Sequence, residues 1–341
     1  MRISANALVW AAVTGLSLTS AAIVEADDLD QAMKAIVRVR ATVPVEATTA
    51  RTLGTEREGN GILIDGSGLI LTIGYLIVEA ERIEVQTAAG VQRADFVAYD
   101  GDTGFGLVRA RELSGLQPMP LGDSAKVVVG DDLQVAGFGD AQPVRVISRG
   151  EFVGYWEYML EDALYTAPAY SDWGGAALIS EGRLVGVGSI LATFSLPEVG
   201  RLPCNMFVPI DLLKPILAEL VRTGRSGAPP RPWLGITAEE TEGHVVVTTV
   251  TPRGPAEQAG LKRGDIILAV SKHPVTAVAE FYRRLWSAGP AGTAIRLQVL
   301  QGNRVRELTV QSADRRANLR QPIPAEGGSA TLLPTSALAS S

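Results

Sequence analysis

The sequence predicts a mainly β chain built as two domains. Its 341 residues suffice for about two hydrophobic cores. Its 36 glycines and 19 prolines punctuate short runs that alternate apolar and polar residues, the pattern of strands joined by tight turns. One stretch rich in glycine, serine and proline, residues 223–232, separates an N-terminal block from a C-terminal one. Hydrophobic residues make up 46% and charged residues 20%, ordinary values for a globular chain. A formal net charge of -6 with no basic stripe argues against a nucleic-acid partner.

Residues 1–26 read as an export signal. Arg2 supplies the positive start, Ala7 to Leu18 the apolar core, and Ser20, Ala22 and Ala26 the small residues of a cleavage site. An uncleaved membrane anchor is the alternative, because the apolar run stretches toward Val24. Cys204 is the sole cysteine, which excludes an intrachain disulfide. A short helix over Asp27 to Ala35 leads into a strand at Ile36 to Arg40, and Val43 to Gly59 reads as a loose polar loop.

The runs Gly61 to Ile64 and Leu69 to Thr72 flank an Asp65-Gly66-Ser67-Gly68 turn and form a hairpin. Further alternating runs at Arg82 to Thr87 and Val91 to Tyr99 point to a barrel or sandwich. Near the end of the block, Asp211 stands where it can cap a helix that carries Leu213, Ile216, Leu217, Leu220 and Val221 on one face. Beyond the linker, the run Val245 to Val250 reads as a strand. From Asp314 onward the composition predicts disorder.

Four motifs occur in a telling order. Leu121-Gly122-Asp123-Ser124 is followed by Val129-Gly130-Asp131-Asp132-Leu133-Gln134-Val135-Ala136-Gly137, then by Tyr170-Ser171-Asp172-Trp173-Gly174-Gly175-Ala176-Ala177-Leu178, then by Phe207-Val208-Pro209-Ile210. This succession resembles the HtrA-type trypsin-like serine proteases. Gly254-Pro255-Ala256-Glu257-Gln258-Ala259-Gly260-Leu261 with Gly264-Asp265-Ile266-Ile267 is similar to their PDZ domain. The resemblance covers about residues 30–312. It implies a trypsin-like double β-barrel at 27–222 and an α+β PDZ domain at 233–313, in which Glu280 to Trp286 is the helix flanking the peptide groove and Ala294 to Leu300 a strand, while composition gives the linker at 223–232 and a disordered tail at 314–341.

Such proteases use a serine, a histidine that takes its proton and an aspartate that orients the histidine. Matched to the family's motifs, the nucleophile position holds Trp173, the histidine position Tyr75 and the aspartate position Gly104. An indole cannot act as the nucleophile. The glycine of the oxyanion hole is matched by Ser171. A surrogate triad through Ser171 with Asp172 or Asp102 lacks a base, because the chain's two histidines, His244 and His273, both fall in the PDZ-like segment. Trp173 reads either as a new recognition surface or as a plug in an unused cleft.

The PDZ-like segment keeps what peptide capture requires. Such a domain adds a peptide strand to its sheet edge and holds the terminal carboxylate on backbone N–H groups of a glycine-containing turn. Trp233-Leu234-Gly235-Ile236 matches that turn, and Phe281 and Leu285 stand on the facing helix as pocket or as core. Arg231, just before it, either helps to hold a carboxylate or is a solvated linker charge. His244 and His273 lack metal-site spacing, so neither a metal nor another cofactor is expected. The expectation is a periplasmic HtrA-like pseudoprotease that binds peptide or protein C-termini as a chaperone-like adaptor. The alternatives are a structural subunit, homotrimeric or co-assembled with an active relative, and an endopeptidase of residual or unconventional activity in protein quality control.

Overall fold

In the computed structural model, which describes residues 28–111, 113, 115–196 and 200–320, the short predicted strands close into two antiparallel barrels. The expected export signal lies outside the described residues, as do residues 321–341 of the tail. The first barrel comprises β1 (Ile36–Thr42), β2 (Glu56–Leu63), β3 (Leu69–Ile73), β4 (Arg82–Thr87), β5 (Gly90–Tyr99) and β6 (Phe105–Arg109), in the order β1-β2-β3-β6-β5-β4. The second comprises β7 (Asp132–Gly137), β8 (Asp140–Gly154), β9 (Tyr158–Ala167), β10 (Ala177–Ser180), β11 (Arg183–Leu196) and β12 (Gly200–Pro209), in the order β10-β11-β12-β9-β8-β7. Val37, Val39, Ile62, Ile70, Leu71 and Leu107 fill the first core without exposure. Each such side chain stabilises the fold by roughly 1.5–3 kcal/mol.

After the linker, a sheet of order β13-β14-β15-β17-β18 packs on one helix. Its strands are β13 (Ile236–Thr241), β14 (His244–Val250), β15 (Ile266–Val270), β17 (Ala294–Gln301) and β18 (Arg304–Gln311), with the two-residue β16 (His273–Pro274) paired to β15. The helix Val278–Ser287 is amphipathic: Val278, Phe281, Tyr282 and Leu285 are buried against the sheet.

Three local expectations change. The segment expected as a loose loop carries a short helix, Ala50–Leu53, and begins β2. Arg57 explains this order: its buried guanidinium donates to the carbonyls of Gly54, Tyr75 and Val78 and to Thr49 Oγ1. Asp211 caps no C-terminal helix. It lies in a single 3-10 turn, Ile210–Leu212, where its carboxylate accepts from Ala125 N and pairs with Lys214, and the helix proper is Leu217–Thr223. The chain is also ordered past Asp314. The turn Arg315–Asn318 packs back on the first barrel through Thr48 Oγ1 to the Asn318 carbonyl and Arg320 N to Glu79 Oε1.

Asn60 of β2 joins the two barrels. Its side chain is fully buried, donates to the Asp172 carbonyl at 2.8 Å and accepts from Phe138 N at 2.8 Å, while its own N–H donates to the Gly174 carbonyl at 2.7 Å. Gly175, at φ 75°, lets the two backbones meet: a Cβ there would lie 2.0 Å from the Asn60 carbonyl oxygen. Asn60→Ala strands the part-buried Phe138 N–H and Asp172 carbonyl, so it is expected to lower stability by about 1–3 kcal/mol in urea unfolding. A loss below about 0.5 kcal/mol would show that the barrels are joined elsewhere.

Candidate functional site

Tyr75, Gly104 and Trp173 meet where the two barrels join. Tyr75 sits in the 3-10 turn Gly74–Leu76 that ends β3, with its carbonyl held by Arg57 Nη1 at 2.8 Å. Gly74 N donates to the Gly104 carbonyl at 2.7 Å, which sets positions 75 and 104 side by side. The Tyr75 hydroxyl donates to the Ser189 carbonyl at 2.9 Å. Burial pushes that phenol far above its ordinary pKa, and the Trp173 side chain beside it offsets the rise only in part. A neutral, hydrogen-bonded phenol is a poor base at neutral pH.

Gly104 and Trp173 have specific backbone reasons for their settings. Gly104 adopts φ 83°, and a Cβ there would lie 3.0 Å from the Tyr158 hydroxyl, which itself donates to the Thr103 carbonyl at 2.7 Å. A carboxylate at this position would meet both backbone strain and that hydroxyl. Trp173 lies between an anchored pair of turns: Gly175 N donates to the Gly188 carbonyl, and Ala176 N to the Trp173 carbonyl. Gly188 is required for this approach, since a Cβ would lie 2.1 Å from the Trp173 carbonyl oxygen. Ser171 is exposed, and Asp172 forms an ion pair with Arg38. Both histidines are exposed and belong to the C-terminal sheet.

The second constellation lies in the C-terminal domain. Trp233 exchanges two backbone hydrogen bonds with Ala313, each 3.0 Å, which fixes the start of the turn. Gly235 at φ 81° then allows the N–H groups of Leu234, Gly235 and Ile236 to converge. They converge on a carboxylate. Glu157, at the tip of the β8–β9 hairpin, accepts from Leu234 N at 2.9 Å on Oε2 and from Gly235 N and Ile236 N at 2.9 Å each on Oε1. One rung further, Ala238 N of β13 donates to the Tyr155 carbonyl at 2.9 Å.

Other predicted residues have different surroundings. Phe281 and Leu285 have no exposure and form part of the C-terminal core, to which Met159 of the barrel hairpin also contributes. Arg231 pairs with Asp102 at 3.3 Å and stacks its guanidinium 4.4 Å over the Trp286 ring, so it bridges the domains. Among the described residues, no cluster of histidine, cysteine, aspartate and glutamate is spaced to hold a metal ion.

Comparison with known proteins places this geometry. Residues 59–187 match the trypsin-like peptidase domain model, and residues 232–311 match the PDZ domain model. The chain is an HtrA-type homologue. It is 26% identical to the serine endoprotease DegS of Haemophilus influenzae over 68% of this chain and 70% of that one. It is 26% identical to the periplasmic pH-dependent serine endoprotease DegQ of Escherichia coli over 74% of this chain and 58% of that one. The chain therefore spans little more than half of some curated relatives. Among solved structures, the HtrA-type protease AlgW with a tripeptide superposes with a TM-score of 0.52 at 21% identity, covering 88% of this chain and 98% of that chain. The serine endoprotease from Yersinia pestis gives 0.51 at 24%, covering 85% and 97%.

Sequence reasoning missed Glu157, Tyr158 and Tyr282. The Tyr282 hydroxyl donates to the Gly154 carbonyl and accepts from Glu157 N, both at 2.9 Å, so it holds the hairpin tip from both sides. No local pattern marks a glutamate in a hairpin turn as a partner for a turn 77 residues away. Burial raises the Glu157 carboxyl to about 7 against the lowering effects of its backbone donors and of Arg315, while the facing Tyr282 hydroxyl stays un-ionised. The raised value means that the folded state holds the proton more tightly than the unfolded one. Stability is thus fully present below about pH 4.5 and is lost as pH rises through about 7, by up to about 3 kcal/mol. Urea midpoints measured from pH 5 to 8 are expected to fall more for the unmodified chain than for Glu157→Gln. Parallel profiles would show that Glu157 does not titrate in this window.

Proposed function

We propose that the chain is an HtrA-like pseudoprotease, with a barrel pair over residues 27–222 that has lost its triad and a PDZ domain over 233–313 that captures peptide C-termini. The observation that carries the first half is the junction itself. Tyr75 spends its hydroxyl on the Ser189 carbonyl, Trp173 stands where the nucleophile is expected, and Gly104 adopts a backbone that disfavours aspartate. With both histidines in the other domain, no imidazole is available to activate Ser171. An oxyanion hole alone leaves roughly a thousand- to ten-thousand-fold acceleration over water, far short of useful proteolysis.

The second half rests on three converging N–H groups that already bind a carboxylate, the group that ends every peptide. An adaptor of this kind acts in the periplasm if residues 1–26 direct export, the compartment named for the DegQ relative. Its partners are unfolded or processed proteins presenting a free C-terminus.

The mature chain is expected to leave an unfolded protein substrate intact and to take no label from an active-site serine reagent. Cleavage accompanied by labelling of Ser171 would overturn the pseudoprotease reading. In peptide titrations, a decapeptide with a free C-terminus is expected to bind at least about tenfold more tightly than its C-terminal amide, because the amide carries no charge for the turn. Equal affinity would remove carboxylate capture.

A further inference from the structure

A PDZ-type turn that already holds a carboxylate cannot hold a second one. We propose that Glu157 is an internal ligand of the carboxylate turn Leu234–Ile236, closing the groove until an incoming polypeptide C-terminus displaces it. This inference rests on the capture reading above and specifies how the same site is regulated.

The hairpin tip reproduces both halves of peptide recognition. Its side-chain carboxylate takes the three turn N–H groups, and the Tyr155 carbonyl takes Ala238 N, the backbone rung through which an added strand would pair with β13. The seat is specific. Glu157 is 7% exposed and adopts φ 55°, an uncommon setting for a side chain of this length, and the Tyr282 hydroxyl bonds the backbone on either side of the tip. Val153 and Met159 flank it and pack on the C-terminal core. At the rim, Arg283 pairs with Glu151, and Arg315 donates to the Trp156 carbonyl at 3.2 Å.

The seat is also suited to exchange. Burying Glu157 costs its hydration, and three charge-assisted bonds offset only part of that cost. An incoming main-chain carboxylate would make the same three bonds while Glu157 returns to water, so the turn itself loses nothing on displacement and the remaining cost is the packing and backbone bonds of the hairpin tip. A cavity of about 600 Å³, lined in part by Glu157, Trp233, Arg231 and Arg315, lies beside the turn and gives such a group room to approach. Displacement would free the hairpin tip from β13, so capture of a C-terminus would loosen the PDZ domain from the barrels. A groove that is open for only a fraction of the time binds its ligand more weakly by that fraction.

The test compares the full chain with Glu157→Gly, since glycine accepts φ 55° and should leave the hairpin tip in shape. A fluorescent alanine-rich decapeptide ending in a free valine carboxylate, together with its amide, serves as the probe. Amide hydrogen exchange at Leu234, Gly235 and Ile236 is measured in the same samples without peptide. Glu157→Gly is expected to bind the free-carboxylate peptide at least about tenfold more tightly than the unmodified chain, and its three turn amides to exchange at least about tenfold faster.

Should Glu157→Gly fail to fold, Glu157→Gln is expected to shift both readouts in the same direction by about threefold, because it keeps an acceptor but loses the charge. Equal, measurable peptide affinity in both proteins would overturn the latch and leave the capture reading standing. Unchanged exchange at the turn would also overturn the latch. If no peptide binds either protein but exchange accelerates in the variant, the internal seat stands and capture of external C-termini falls.

Discussion

A carboxylate removed from water must be given hydrogen-bond donors, and Glu157 finds three of them on another domain. That requirement organises the molecule. The turn Leu234–Ile236 needs an anion to satisfy its converging N–H groups, and the β8–β9 hairpin needs donors for the acid at its tip. Each offsets part of the other's desolvation cost, and the joint between barrel and PDZ domain is built around that pairing. Peripheral contacts such as Arg231 with Asp102 are partly exposed, so they orient the domains and add little stability.

The same hairpin reaches in the other direction. Trp156 and Tyr158 stack with ring centres 5.8 Å apart, and the Tyr158 hydroxyl bonds the Thr103 carbonyl next to Gly104. Two neighbouring residues, Glu157 and Tyr158, therefore address the turn Leu234–Ile236 and the backbone beside Gly104. Under the proposed function, the junction and the PDZ groove are mechanically linked through one rigid aromatic tip. At position 104 the left-handed backbone and the nearby Tyr158 hydroxyl leave little room for a side chain.

At the barrel junction, backbone proximity decides more than side-chain chemistry. Asn60 and Gly175 allow strands of the two barrels to approach within hydrogen-bonding distance, while Gly188 lets β11 approach the Trp173 backbone within the second barrel. The Gly174-Gly175 pair follows Trp173, an indole without a nucleophilic atom. Its structural duty is independent of catalysis: a side chain at Gly175 would collide with the Asn60 carbonyl whatever residue stands at 173.

Much of the fold was legible in the sequence because its signals are local. Alternating runs such as Ile36–Thr42 and turn residues such as Asp65 to Gly68 follow from periodicity and backbone preference, while the helix Val278–Ser287 was indicated by the resemblance to a PDZ domain. The resemblance to a PDZ domain, not composition, pointed to Trp233 to Ile236 as a carboxylate turn, and Gly235 adopts φ 81° there. The order around Arg57, the docking of residues 315–320 and the true neighbours of Arg231 were not legible. Each depends on partners distant in the chain. The sequence by itself determined the strands, the turns and the residue types at the junction, since these are dictated by short-range sterics and hydrophobic pattern. Only the tertiary structure decided that the carboxylate in the PDZ turn is Glu157, because burial and the convergence of three backbone donors exist only once both domains are packed together.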